Sequence, residues 1–306
     1  MDNFKVRGAE VASENDINYK ALFKNREGRL AIIRRLSFIP DKLYLKIVYR
    51  IKTGRRLNLK HPVGFNEKEN WLKVNDIHPE YTDYVDKVKV RGIVEKLIGP
   101  DYFFPLLGTW KHFNEIDFDK LPNEFVLKCN HDSGSVKVIS DKSKMNKQEL
   151  EKFFEDRLAL NSFCLGREYP YKDVEPCILA EKLMKSESGI NDYKFFCFDG
   201  KPELMFVATE RASGNTKFDW FDMDFNHLDI VNIHPQSGQP IARPRCFDEM
   251  KEIASKCSQG MRFVRIDLYE IDGKVYFGEY TFFHGGGFWL FKPDHWEKDL
   301  GDLIEI

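Results

Sequence analysis

Two kinds of hydrophobic spacing share this chain. In "KALFKNREGRLAIIRRLSFI" and "PDKLYLKIVYRIKTGRR", Leu, Ile and Tyr recur every three or four positions, which predicts two helices between about 19 and 58. Pro40 suits the start of the second, where a missing N–H is tolerated. Residues 1–18 are polar and aperiodic, and predict a flexible N-terminus. A helix is expected over 64–81, capped by Asn66 with Trp71 and Leu72 on one face. Others are expected over 82–99, closed by Gly99, and over 146–161 and 247–261.

Between the helices the apolar runs are short and rich in Phe, Val and Tyr, as strands are. "YFFPLLGTW" (102–110) is one, with a turn. "EFVLKC" and "SVKVIS" are two more, joined by the polar loop "NHDSG". "CILAEKLM" (177–184) is an apolar strand ending in charge, read either as a sheet edge or as a core strand reaching the surface. Hairpins are expected over 192–210, turning at Asp199–Gly200, and in "FVRIDLYEIDGKVYFGEYTFFHGGG" (263–287), turning at Asp272–Gly273. Strands that pair mainly as hairpins, with helices between, predict an α+β fold with antiparallel sheets.

Composition narrows this modestly. A chain of 306 residues, 42% hydrophobic, holds one large domain or two modest ones. A net charge of −2 provides no general basic field for nucleic acid. The segment 44–60, "LKIVYRIKTGRRLNLK" with its flanking residue, is locally basic. It reads either as a solvated helix face or as a peripheral contact with an anionic membrane. No apolar run of membrane-spanning length and no signal peptide are apparent, so a cytoplasmic protein is expected, at most at the inner face of the membrane. The six cysteines, at 129, 164, 177, 197, 246 and 257, show no CxxC and are expected as reduced thiols.

The candidate chemistry sits in the strands. With the last hairpin turning at Asp272–Gly273, Asp267 falls roughly opposite Glu279. Alternation puts Arg265 beside Asp267 and Glu279 beside Thr281 on their faces. If those faces coincide, an arginine, two carboxylates and a hydroxyl project together, a set suited to Mg²⁺ and phosphate; the plainer reading is a surface ladder of ion pairs. Lys128 ends an apolar strand beside a loop holding Ser133, Gly134 and Ser135, whose N–H groups could cradle phosphate, although GxxxxGK[ST] is absent. The strand end Glu181-Lys182-Leu183-Met184 could offer adenine a carbonyl and an N–H.

Taken in order, these pieces resemble the ATP-grasp superfamily, and more narrowly its TupA-like branch, associated with teichuronopeptide and surface polysaccharide synthesis. The resemblance covers about 85–290. It implies an ATP-grasp fold, with a helical region over 19–84, a first subdomain over 85–176 and a second over 177–306. It implies ATP and Mg²⁺ as cofactors. Lys128 would contact the α- and β-phosphates; Arg91, or Lys87 in its place, would be the second phosphate-binding cation of "DKVKVR". Residues 131–135 would form the lid, Glu181, Lys182, Leu183 and Met184 the adenine hinge, and Glu187 the ribose contact. Asp267, Glu279 and Thr281 would hold metal, Thr281 standing where the family generally has Asn. Arg265, Lys194 and Arg211 would stabilise the transferring phosphoryl group, and His284 would serve as base for an incoming amine, its plainer reading being a satisfied structural histidine.

The activity so implied is a carboxylate–amine ligase, joining an amino acid to a uronic-acid carboxyl of a surface polysaccharide or its precursor. The competing expectation is a nucleotide-sugar glycosyltransferase, for which Asp222-x-Asp224 would be the metal motif; its plainer reading is a polar turn.

Overall fold

The computed structural model describes residues 38–186, 190–211 and 214–306. The first expected helix lies outside them. Helix α1 (Asp41–Thr53) follows Pro40 and ends at Gly54, which adopts the left-handed conformation that glycine tolerates. It packs through Tyr44, Leu45 and Tyr49 onto Leu57 and Phe288.

Helix α2 (Phe65–Asn75) starts one residue before the expected cap. Asn66 is not the cap. It is buried, and its Nδ2 donates to the Trp289 carbonyl (2.9 Å) and to Glu297 Oε1 (2.7 Å). The free N–H groups of Val63 and Gly64 go instead to the Glu67 carboxylate (3.0 and 3.4 Å).

The helix expected over 82–99 is two, α3 (Tyr81–Val85) and α4 (Lys89–Ile98). Asp86 causes the break. Its Oδ1 accepts from the N–H groups of Val88 (2.8 Å) and Lys89 (3.3 Å), so a side chain competes with the helical ladder and caps the second piece. Lys87 is left in the gap, with its N–H on the Asn130 carbonyl (3.2 Å).

The remaining chain forms two antiparallel sheets. The first contains β1 (Leu106–Trp110), β2 (Phe125–Cys129), β3 (Lys137–Ile139) and β4 (Ile178–Lys182), in the order β1-β4-β2-β3. Helix α5 (Lys147–Leu158), capped by Asn146, buries Leu150 and Phe154 against it. A short helix, α6 (Phe163–Gly166), follows. Strand β4 is thus an interior strand, the second of its two expected readings, and not an edge. Its neighbours on both sides occupy its ladder, and the Lys182 N–H donates to the Pro105 carbonyl (2.9 Å). The change of sheet comes after Lys182, beyond the expected subdomain boundary at 177.

The second sheet contains β5 (Asn191–Phe198), β6 (Lys201–Thr209), β7 (Lys217–Asp222), β8 (His227–Leu228), β9 (Phe263–Ile271) and β10 (Lys274–Thr281), in the order β10-β9-β5-β6-β7-β8. Asp199–Gly200 and Asp272–Gly273 have positive φ at both positions, as tight hairpins of this twist require. Strand β7 was not anticipated. Its Asp222 carboxylate accepts from the N–H groups of Asp224 (2.9 Å) and Asn226 (2.8 Å), so Asp222-x-Asp224 closes a polar turn. Helix α7 (Phe247–Ser258) covers one face through Phe247, Met250 and Ile253, and α2 and α4 add Phe65, Leu72, Val90 and Val94 to the same core. Helix α8 (His295–Asp302) packs on α2. All six cysteines are free thiols.

Candidate functional site

A cleft opens between the sheets because each sheet buries only part of its surface in its own core. In β2, Phe125, Leu127 and Cys129 are buried toward α5, so alternation turns Val126 and Lys128 the other way. In the register with β4, Val126 lies opposite Glu181. Glu181 is held between two cations: Lys128 Nζ at 2.7 Å from Oε2 and Arg91 Nη1 at 3.2 Å from Oε1. Arg91 also donates to the Phe104 carbonyl (2.6 Å) and covers the Phe103 ring.

The facing row comes from the second sheet. Lys194 pairs across to Asp267, and Asp267 to Glu279. The last pairing depends on a bulge. Phe277 lies opposite Leu268, yet the next pair is Glu279 with Asp267, leaving Gly278 as an extra residue. The bulge exchanges the faces of β10. Val275 and Phe277 before it and Tyr280 and Phe282 after it are all buried in one core, so Glu279 and Thr281 emerge on the face of Arg265 and Asp267. Glycine is needed there: a Cβ would stand 2.9 Å from the Asp267 carbonyl oxygen.

The row is closely paired. Arg265 donates to Asp267 through Nε (2.6 Å) and Nη2 (2.8 Å), and to Thr281 Oγ1 (2.9 Å). Lys194 Nζ contacts Asp267 and stands 2.8 Å from Asp192, which also binds Arg211. Burial pushes the Asp267 carboxyl up, but Arg265 and Lys194 outweigh it and hold it below the ordinary carboxylate range. At Asp192 burial wins and the carboxyl is raised. The charge of Asp192, followed by burial, raises the Tyr269 phenol well above its usual range.

Glu279 differs from its partner. It is half-buried and makes no hydrogen bond among the described residues; its nearest cations are Lys87 at 3.6 Å and Arg265 at 3.9 Å. A carboxylate held this loosely, opposite Asp267 and near the Thr281 hydroxyl, fits an oxygen-preferring cation. Among the described residues no three His, Cys, Asp or Glu side chains converge on one point. A cation bound there would take only part of its coordination shell from these side chains, with phosphate and water supplying the rest.

The cleft and the open solvent at its mouth together hold about 800 Å³ of empty space. Lys87, Lys128, Ser133, Gly134, Ser135, Glu181, Lys194, Arg211 and Glu279, all expected at the site, line it. Asp267, Arg265 and Thr281 lie in the paired row behind. Arg91 stands behind Glu181, whereas Lys87 reaches the cleft, its Nζ on the Asp132 carbonyl at 2.8 Å. In the loop, Ser133 and Gly134 are exposed, while Ser135 is buried and its hydroxyl donates to Asp132. Asp132 is further tied to Arg157 of α5 (3.3 Å). Lys182, Leu183 and Met184 do not line the cleft; they stand at the exit from β4, with Lys182 exposed. Glu187 lies outside the described residues.

His284 does not occupy the position of a base. It is 1% exposed, and both ring nitrogens are engaged. Asn232 Nδ2 donates to the Trp289 carbonyl (2.7 Å), so its Oδ1 accepts from His284 Nε2–H (2.8 Å). His284 Nδ1 is then the acceptor for Arg265 Nη1 (2.9 Å). Burial, reinforced by Arg265, holds the imidazole well below its ordinary value. His284 is a neutral brace for the guanidinium. Its own N–H is held by Glu69 (2.5 Å), and Lys73 and Asn70 of α2 donate to the carbonyls of Gly286 and Gly287 (both 2.6 Å).

Several lining groups were not anticipated: Phe103, Phe104, Phe277 and Tyr269, with Asp192 behind them, whereas Asp132 belongs to the expected lid. Asp192 and Tyr269 were within reach of alternation, being two positions from Lys194 and Asp267. Phe103 and Phe104 fall in the stretch expected as a strand over 102–110, but β1 begins only at Leu106, so alternation does not place them.

The family profile described as TupA-like ATPgrasp matches residues 67–305. No curated protein matches. Among solved structures, the chain is similar to D-alanine–D-alanine ligase from Bacillus anthracis, at 16% identity and TM-score 0.39 for the ATP complex, over 65% of this chain and 53% of that one. A second structure of that ligase gives 19%, 0.41, 79% and 69%. The L-amino acid ligase from Bacillus licheniformis gives 14%, 0.44, 82% and 57%. The chain thus spans 53% of the length of the first of these. With four fifths of its length inside the family profile, this chain belongs to the TupA-like ATP-grasp family.

Proposed function

We propose that this TupA-like ATP-grasp protein is an ATP- and Mg²⁺-dependent carboxylate–amine ligase that joins an amino acid to a uronic-acid carboxyl of a surface polysaccharide or its precursor. One observation carries the ligase reading: Lys87, Lys128, Lys194 and Arg211 line one cleft with Glu279, while Arg265 and Asp267 lie directly behind. That is the arrangement phosphoryl transfer uses, in which positioned cations offset charge spread over phosphate oxygens. Glu279 and Asp267, with Thr281 beside them, would hold the Mg²⁺, which when bound neutralises phosphate charge.

Lys128 and Lys87 would bind the phosphates from the first sheet and its approach. Lys194, Arg211 and Arg265 would stabilise the transferring group. A substrate carboxylate attacks the γ-phosphoryl group and ADP leaves. The amine then attacks the acyl-phosphate, forming the amide and releasing phosphate. The uronic-acid and amino-acid assignment rests on the family's association with surface polysaccharides. Nothing in the geometry favours the glycosyltransferase alternative, because Asp222 is engaged in its own turn.

The test is thermal unfolding with ATP·Mg²⁺ and with UDP-sugars, followed by phosphate release with a panel of uronic acids and amino acids. Protection by ATP, and release that needs both acid and amine, is expected. Protection by UDP-sugars alone would overturn the ligase reading, and a stable phosphorylated product without amide would make the protein a kinase.

A further inference from the structure

Helix α1 carries more apolar surface than its packing covers. Tyr44, Leu45 and Tyr49 face inward, but Leu43, Ile47 and Ile51, spaced every fourth position, are 52, 44 and 42% exposed. Phe38, just ahead, is 86% exposed. Lys46, Arg50 and Arg56 border this line, and with Ile47, Ile51 and Leu57 they enclose a shallow hollow on the surface. Nearby acids are engaged: Asp41 turns to Arg167 (3.1 Å), and Asp294 pairs with Arg55 (2.7 Å).

Charge decides what covers this face. A second copy would set the same cations against each other. The complementary occupant is anionic and apolar beneath its charge, which describes a bilayer of acidic phospholipid. Among the described residues no helix is long and apolar enough to cross a membrane, so the contact is one of lying on the surface.

We propose that the outer face of α1 docks on an anionic phospholipid bilayer. Leu43, Ile47 and Ile51 enter the headgroup boundary, and Lys46, Arg50 and Arg56 meet the lipid phosphates. The inference is independent of the ligase reading.

Vesicle co-sedimentation of the full chain tests it, with phosphatidylcholine alone and mixed with phosphatidylglycerol. Binding to the mixed vesicles only is expected, weakening as salt rises. The double variant Lys46→Glu/Arg56→Glu should bind at least about twentyfold more weakly, since each cation near an anionic surface contributes roughly fivefold. Ile47→Asp should also lose binding, with an unchanged melting temperature showing that the fold survives. Equal binding to both vesicle types, no binding to either, or variants that bind like the parent would overturn the proposal. Retention on a heparin column without vesicle binding would assign the face to a different polyanion and overturn it too.

Discussion

Asp267 and Glu279 stand opposite each other only because Gly278 is an extra residue in β10. An uninterrupted hairpin would place Gly278 there and turn Glu279 into the core. Gly278→Ala should therefore damage the site, since its Cβ would press on the Asp267 carbonyl and shift Glu279. Turnover should fall about 10²-fold, the usual result of a small misplacement. Steady-state kinetics checks this, and near-parental turnover would remove the bulge from the functional argument.

The two carboxylates should fail differently. Glu279 is half-exposed and loosely paired, so Glu279→Gln should abolish turnover with little change in melting temperature. Asp267 is buried between Arg265 and Lys194, so Asp267→Asn should abolish turnover and also cost about 3 kcal/mol by leaving two buried cations without their anion. Chemical denaturation separates the cases. Near-normal activity of either variant at limiting Mg²⁺ would end the metal assignment.

Asp267 also has a signature in acid. Its folded carboxyl lies below its unfolded value, so its contribution to stability is fully present above the unfolded value of about 3.9. That contribution is lost as pH falls through the lower, folded value. The stability advantage of the parent over Asp267→Asn should thus shrink below about pH 4 and be constant above about pH 5. Melting curves across that range read it directly.

Lys128→Ala should weaken ATP binding about tenfold or more, as expected for a charge-assisted contact. Calorimetric titration with a non-hydrolysable ATP analogue measures it. Because Lys128 is paired with Glu181 at 2.7 Å, unchanged affinity would mean that the lysine serves Glu181 alone.

His284→Ala should lower turnover about tenfold by freeing the Arg265 guanidinium, without moving the pH profile, because the imidazole it removes is already neutral. His284→Gln, which can still accept from Arg265, should recover part of the loss. A profile that loses a limb near neutral pH would restore His284 as a base.

The sequence by itself determined most of the elements and most of the polar groups that meet in the cleft. Period-two runs placed Lys128, Glu181, Lys194, Arg265 and Asp267 on strands, and the Asp-Gly turns placed both hairpins, because alternation and turn chemistry are local. Asp86 shows where local reading ended: the segment has helical spacing throughout, but a side chain that caps its own backbone breaks it and delivers Lys87 to the cleft. Only the tertiary structure decided that β4 lies inside a sheet, that His284 is a buried brace, and that Phe103 and Phe104 form a wall. Each of these depends on neighbours distant in the chain. The clearest case is Gly278, whose extra residue reverses the face of Glu279: periodicity sees composition along one strand, whereas a bulge is defined by the strand beside it.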